Sequence, residues 1–390
     1  MINSVISKRV QGIQFSKIRE VTFKAKKMKS EGIDIIELSQ GRPDFDTPKH
    51  IIEATEDALQ KGLVHYDLSA GTISLREAIA YRTKEDFNLE VDVDEIIVTI
   101  GASEANYLVT QTLLDPGDEM IIPDPMYVYY PGFSFLGGAK TISVPLDMIL
   151  QQPEEVEKYI TKKTKLILLT SPHNPTGQVI PEQSLEIIAH LAQKYDFYVI
   201  SDDIYNKMIY EKDINYINIA SLSNMKDRTF MIGSLSKTYA MDGWRVGYLI
   251  GPKDLMKQAL KMHQHILSCP NTFIQEGAKV ALTSSQDCVE EMVKEFDRRR
   301  KLMMASFDEM KISYKPPQGA FYVFLSIQKF GMNSEEFCDF LLNKARVAVV
   351  PGSAFGKLGE GYVRFSYTTD YELIKEGMER IKDTIAKLSF

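Results

Sequence analysis

Cysteine is scarce. Cys269, Cys288 and Cys338 are spread over the last third of a 390-residue chain without paired metal-ligand spacing. That excludes a disulfide scaffold and a cysteine-rich metal centre, and it points to reduced, packed thiols in a cytoplasmic protein. Long apolar runs are missing as well. None approaches the ~20 residues that span a bilayer, and the opening MINSVISKRVQG lacks the apolar stretch of a signal peptide. Basic residues are neither in excess nor concentrated: the formal net charge is −7, whereas nucleic-acid binders gather Lys and Arg on one face. Neither a GxGxxG nor a GxxxxGKS/T nucleotide motif occurs. His263-x-His265 has no acidic or cysteine partner nearby and reads as a surface pair on a helix, so no metal site is expected. The run Arg298-Arg299-Arg300 reads as a solvated helix face.

What is present is an alternation. A basic stretch at about 16–31 has a helical pattern. Short β-branched runs then alternate with amphipathic stretches: EIIVTI (95–100), EMIIP (119–123), KLILLT (165–170), FYVIS (197–201), RTFMIG (228–233) and WRVGYLI (244–250), with SEANYLVTQTLL and PEQSLEIIAHLAQKY between them. Such alternation predicts a largely parallel α/β sheet covered on both faces. After about residue 290 the texture changes to a long charged helix, then FYVFL, RVAVV, VRFSY and a last helix. That pattern predicts a smaller α+β domain. The polar residues Gly101-Ala102-Ser103, Asn174, Asp202 and Lys237 each follow a strand. In open α/β sheets ligands bind beyond the carboxyl ends of the strands, so these loops should meet in one cleft.

The segment GSLSKTYAMDGWRVGY (233–248) is the most specific signal. A lone loop lysine is usually a solvated charge. Here Ser234, Ser236 and Arg245 add hydroxyl and guanidinium donors suited to a phosphate, and an amine beside a phosphate site suits a phosphorylated aldehyde cofactor. The segment resembles the pyridoxal 5′-phosphate (PLP) attachment signature of class I, fold type I aminotransferases. LSQGRPDFDTP (38–48), HYDLSAGTISLREAIA (65–80), SPHNPTG (171–177), SDDIY (201–205) and VAVVPGSAFGKLGEGYVRFSY (347–367) resemble further motifs of that aspartate and aromatic aminotransferase family, in the family's order.

The resemblance implies the type I PLP fold: a large α/β domain (46–288) with a mostly parallel seven-stranded sheet between helices, and a small α+β domain from 1–45 plus 289–390. It implies that Lys237 forms the Schiff base with PLP and then moves the proton between substrate Cα and cofactor C4′. Asp202 would pair with the pyridine nitrogen, and Asn174 and Tyr205 with the phenolic oxygen. Ala102, Ser103, Ser234 and Arg245 would hold the phosphate at a helix start. Tyr127 would lie against the ring, and Tyr66 would reach the phosphate of a neighbouring subunit, making a homodimer part of the site. Arg364 would clamp the substrate carboxylate, helped by the backbone of Gly41 and by Asn174.

Each residue also has a plainer reading: Asp202-Asp203 as a strand-ending turn, Tyr127 as a core aromatic, Arg364 as a strand residue facing solvent, His173 as a solvated or supporting residue. Two departures stand out. Asp242 occupies a position where family members commonly carry threonine, and Arg42 follows Gly41 where an acidic or amide residue is frequent. The expected activity is amino transfer between an L-amino acid (aromatic, acidic or a broad range) and a 2-oxo acid such as 2-oxoglutarate. The alternative is a PLP-dependent C–S lyase of the same fold. A PLP-fold effector sensor would need an added DNA-binding module, for which the sequence leaves no room.

Overall fold

Strands form where β-branched and apolar residues follow one another without a helical period, and helices where apolar residues recur every three or four. The computed structural model describes residues 5–388. In chain order the strands are β1 (Ile36–Glu37), β2 (Ile96–Thr99), β3 (Glu119–Asp124), β4 (Lys140–Pro145), β5 (Thr164–Thr170), β6 (Tyr198–Asp202), β7 (Thr229–Ser234), β8 (Gly247–Ile250), β9 (Tyr322–Ser326), β10 (Val347–Ala348), β11 (Val350–Pro351) and β12 (Tyr362–Ser366).

Seven of them make one sheet in the order β2-β8-β7-β6-β5-β3-β4. Only β8 runs against its neighbours. The expected mostly parallel seven-stranded sheet is therefore present. Alternate residues of the strands enter two cores. Ile97, Ile122, Leu168 and Ile232 pack against the helices Ala102–Leu113 and Lys253–Ile266. Ile121, Ile167 and Val199 face the helix Glu182–Tyr195, whose Leu185, Ile188, Ala189 and Ala192 lie on one side at helical spacing.

The direction of β8 matters for the site. The carboxyl ends of β2, β3, β5, β6 and β7 lie along one edge. Because β8 is reversed, its amino end lies there too, and Arg245 sits just before it. The run WRVGYLI does not form one strand throughout: Arg245 takes φ +57°, and the strand begins only at Gly247.

The second unit is α+β, as expected. β11, β12 and β9 form an antiparallel sheet, and β1 pairs with β10. The run RVAVV divides between β10 and β11, which join different sheets. A core rich in aromatics, including Phe296, Phe307, Phe321, Phe337 and Phe365, joins these strands to the helices Asp287–Glu309 and Tyr371–Ile385.

The arginine run is not a solvated face. Arg298 points outward over the Tyr371 ring, but Arg299 and Arg300 are buried. Arg299 donates to Asp44 Oδ1 (2.7 Å) and Glu295 Oε1 (2.9 Å). Arg300 donates to Asp297 Oδ1, Glu211 Oε1 and the carbonyl of Pro317. His263 is also buried, while His265 is exposed, so the pair does not share a surface. Glu295 and Asp297 come from the same helix, but periodicity does not reveal the acceptors from distant segments, Asp44, Glu211 and the Pro317 carbonyl. Replacing Arg300 by Met leaves the Pro317 carbonyl without its donor and breaks the pairs to Asp297 and Glu211, and should lower stability by about 2 kcal/mol, whereas Arg298→Met should cost under about 1 kcal/mol. Urea unfolding of both variants checks this, and equal losses would contradict it.

Candidate active site

At the carboxyl edge of the large sheet lies a cavity of about 740 Å³. Gly41, Ala102, Ser103, Tyr127, Asn174, Asp202, Tyr205, Ser234, Lys237, Arg245 and Arg364 all line it. Tyr66 does not; it is 85% exposed on a loop elsewhere.

Lys237 sits in the one-turn helix Leu235–Thr238, capped by Ser234, whose hydroxyl accepts the Ser236 N–H. Its Nζ donates to the carbonyl of Gly41 (2.7 Å). Burial pushes the amine down to about 8; Asp242 opposes the shift, and Arg245, Arg364 and Arg42 add to it.

Asp202 ends β6 inside the protein. Its Oδ2 accepts from Asn106 Nδ2 (3.1 Å) and Tyr130 OH (2.9 Å). Its Oδ1 is buried without a hydrogen-bond partner among the described residues. Burial raises the carboxyl to about 6, against the lowering effect of Asn106 and Tyr130. A buried acceptor of this kind needs a donor. A protonated pyridine nitrogen such as that of PLP would supply that donor, so the residues present suit the cofactor. Asp203, next along, is saturated by Ser201, Tyr216 and Asn218 and is structural.

The anion cradle is built around Gly101, at φ +101°, where a Cβ would come within 2.7 Å of Arg245 Nη2. The helix Ala102–Leu113 starts here, and its first N–H groups have no partner within the helix. Arg245 donates to the carbonyls of Asp242 (2.8 Å) and Ile100 (3.0 Å), which holds its guanidinium beside Ser103 and Ser234 along the cavity wall.

Arg364 is buried rather than solvated. It donates to Asn174 Oδ1 (3.1 Å) and the Ser39 carbonyl (2.9 Å), lies over the Tyr322 ring, and leaves Nε unpaired. Tyr205 hydroxyl pairs with Tyr322 hydroxyl at 2.9 Å. His173 is buried too, which removes its solvated reading: Nδ1 lies 2.9 Å from Thr176 Oγ1, and burial pushes the ring down to about 3.

Asn106, Tyr130 and Tyr322 were missed in the sequence. Asn106 left a faint signal, a polar residue on the buried side of an apolar helix. Tyr130 and Tyr322 left none beyond being aromatic. Six basic side chains (Arg19, Lys26, Arg42, Lys237, Arg245 and Arg364) line the cavity against two acidic ones, Asp202 and Asp242. The space therefore suits anionic ligands.

Fold and site together define an enzyme of the PLP-dependent transferase type. A model of the family "Aminotransferase class I and II" matches residues 33–381, and the chain belongs to that family. An aspartate aminotransferase of Pyrococcus abyssi is 42% identical over 97% of this chain and 98% of its own. Aromatic-amino-acid aminotransferase 2 of Thermococcus litoralis is 39% identical over 97% and 98%. The solved aspartate aminotransferase from Thermus thermophilus with maleate is 35% identical, covers 97% and 99%, and has a TM-score of 0.93. The protein is an amino-acid aminotransferase that uses PLP.

The depressed lysine gives a direct expectation. In cofactor-free protein, acylation of Lys237 followed by peptide mass spectrometry should rise with a midpoint near pH 8; a midpoint near the ordinary 10.5 would contradict the burial argument.

Proposed function

We propose that the chain moves an amino group between an acidic or aromatic L-amino acid and 2-oxoglutarate, with Lys237, Asp202 and Arg364 as its central residues. The observation that carries this reading is the unpartnered Oδ1 of Asp202 in the cavity that also holds Lys237 Nζ. When bound, PLP supplies a reactive aldehyde and a ring that takes up the electron pair left by the substrate Cα–H bond.

Asp202 Oδ1 holds a proton at the pyridine nitrogen, its position fixed by Asn106 and Tyr130 on the other oxygen. Lys237 Nζ, with its depressed basicity, carries the proton from substrate Cα. Ala102, Ser103, Ser234 and Arg245 would hold the phosphate. Arg364 would bind the substrate carboxylate, helped by the backbone of Gly41, with Asn174 and the Ser39 carbonyl fixing its fork. Tyr127 would pack against the ring, and Asn174 and Tyr205 would serve its phenolic oxygen.

The substrate reading draws on the aspartate and aromatic relatives and on Arg42, Arg19 and Lys26 along the cavity. The matched aminotransferases favour amino transfer over the C–S lyase alternative. A homodimer is part of the reading: Leu63, Val64, Tyr66, Leu68 and Ile73 form an exposed apolar stretch suited to a second copy, with Tyr66 serving its phosphate. The reading divides the chain into 46–288 and 1–45 plus 289–390; Ile36 and Leu38 share a core with Phe296 and Phe365, which supports that division. A cytoplasmic location accords with three free thiols and with the absence, among the described residues, of a helix long and apolar enough to cross a membrane.

Mixing the loaded enzyme with an amino donor and no oxo acid should release 2-oxo acid in proportion to sites; pyruvate and ammonia from a cysteine conjugate would instead indicate the lyase. Lys237→Ala should lower turnover by about 10⁴-fold and remove the visible absorbance of the lysine-bound cofactor, and retained turnover would overturn the assignment. Arg42→Ala should lower kcat/KM for aspartate relative to phenylalanine, and an unchanged ratio would remove Arg42 from substrate selection.

A further inference from the structure

His263 is fully buried on the helix Lys253–Ile266, outside the cavity. Its Nδ1 lies 2.9 Å from Glu104 Oε1, and its Nε2 lies 2.9 Å from the carbonyl of Ser69. A carbonyl only accepts, so Nε2 carries a hydrogen; one further proton then lies between Nδ1 and Oε1. The other Glu104 oxygen, Oε2, accepts the Ile100 N–H at 2.7 Å. Every partner in this buried chain is thereby satisfied.

The far end of the chain is the anion cradle. Glu104 holds the Ile100 N–H while Arg245 Nη2 holds the carbonyl of the same residue at 3.0 Å. Ile100 is thus gripped at both backbone groups, immediately before Gly101 at φ +101° and the helix start at Ala102. Releasing the Glu104 side would free the Ile100 backbone, and with it the anchor that orients Arg245.

We propose that His263 and Glu104 are positioning residues for the cofactor phosphate, acting through Ile100 on the loop Ile100–Ser103 and on Arg245. This rests on the reading that the loop and Arg245 bind that phosphate. The device works through hydrogen-bond geometry, so a neutral pair that keeps the same bonds should serve. Glu104→Gln is such a pair: its amide oxygen accepts from Ile100 and its amide nitrogen donates to Nδ1, leaving Nε2–H for Ser69. His263→Phe instead leaves a buried carboxylate with a single donor and the Ser69 carbonyl without one.

The test compares affinity for PLP with affinity for pyridoxal, which lacks the phosphate, by fluorescence titration of the cofactor-free enzyme, together with thermal unfolding. His263→Phe should weaken PLP about tenfold while pyridoxal stays within about twofold. Glu104→Gln should keep wild-type affinity for both. Met256→Ala, a core change on the same helix, should lower Tm and leave both affinities unchanged. If His263→Phe does not yield folded protein, His263→Leu, which also lacks a donor for Glu104, carries the same expectations. Wild-type PLP affinity in the His263 variant, or equal weakening of PLP and pyridoxal, overturns the proposal and makes the pair a packing element only. Arg245→Gln separates the two readings. If it weakens PLP selectively and the His263 variant does not, only this inference fails; if it has no effect on the PLP-to-pyridoxal ratio, the phosphate assignment itself fails.

Discussion

Asp202 ends a strand deep in the protein with one oxygen bonded by Asn106 and Tyr130 and the other without a hydrogen-bond partner among the described residues. A carboxylate in that position is costly, and its raised protonation range records the cost. The rest of the site repeats the pattern. Arg364 is buried with Nε unpaired among the described residues, and Lys237 is half-buried with a carbonyl and no carboxylate as its bonding partner. Groups held so short of partners gain most from a ligand that completes them. An incoming cation at Asp202 and carboxylate at Arg364 would meet preorganised charges rather than charges already neutralised.

The sheet makes this arrangement affordable by distributing it. Lys237, Asp202, Asn174 and the Gly101 loop come from different strands but share one edge, and the reversal of β8 brings Arg245 to the same edge from the other direction. Each charged side chain is anchored to a rigid strand end or short helix. The antiparallel unit contributes Arg364 from β12 and Tyr322 from β9, so the cavity is closed only where the two units meet.

Much of this was legible in the chain. Runs such as KLILLT and FYVIS announce buried strands because nothing polar interrupts them, and a loop residue placed straight after a strand has only one edge of a parallel sheet to occupy. Lys237 was readable because Ser234, Ser236 and Arg245 surround it in sequence. What escaped depended on distant segments. Arg300 and His263 sit in polar helices, and only the tertiary neighbours Glu211, Pro317, Glu104 and Ser69 turn them inward. Tyr322 looked like one more strand aromatic, yet it bonds Tyr205 and lies under Arg364. Its role arises from pairing between β9 and β12, which no local pattern encodes.

The central claim is that the free oxygen of Asp202 keeps the cofactor's ring nitrogen protonated. Nitrogen NMR of the enzyme loaded with PLP labelled at the pyridine nitrogen measures that proton directly. The account predicts a protonated-nitrogen signal in the native enzyme at neutral pH, lost on Asp202→Ala. An unprotonated signal in the native enzyme, or a protonated one that survives the substitution, would contradict it.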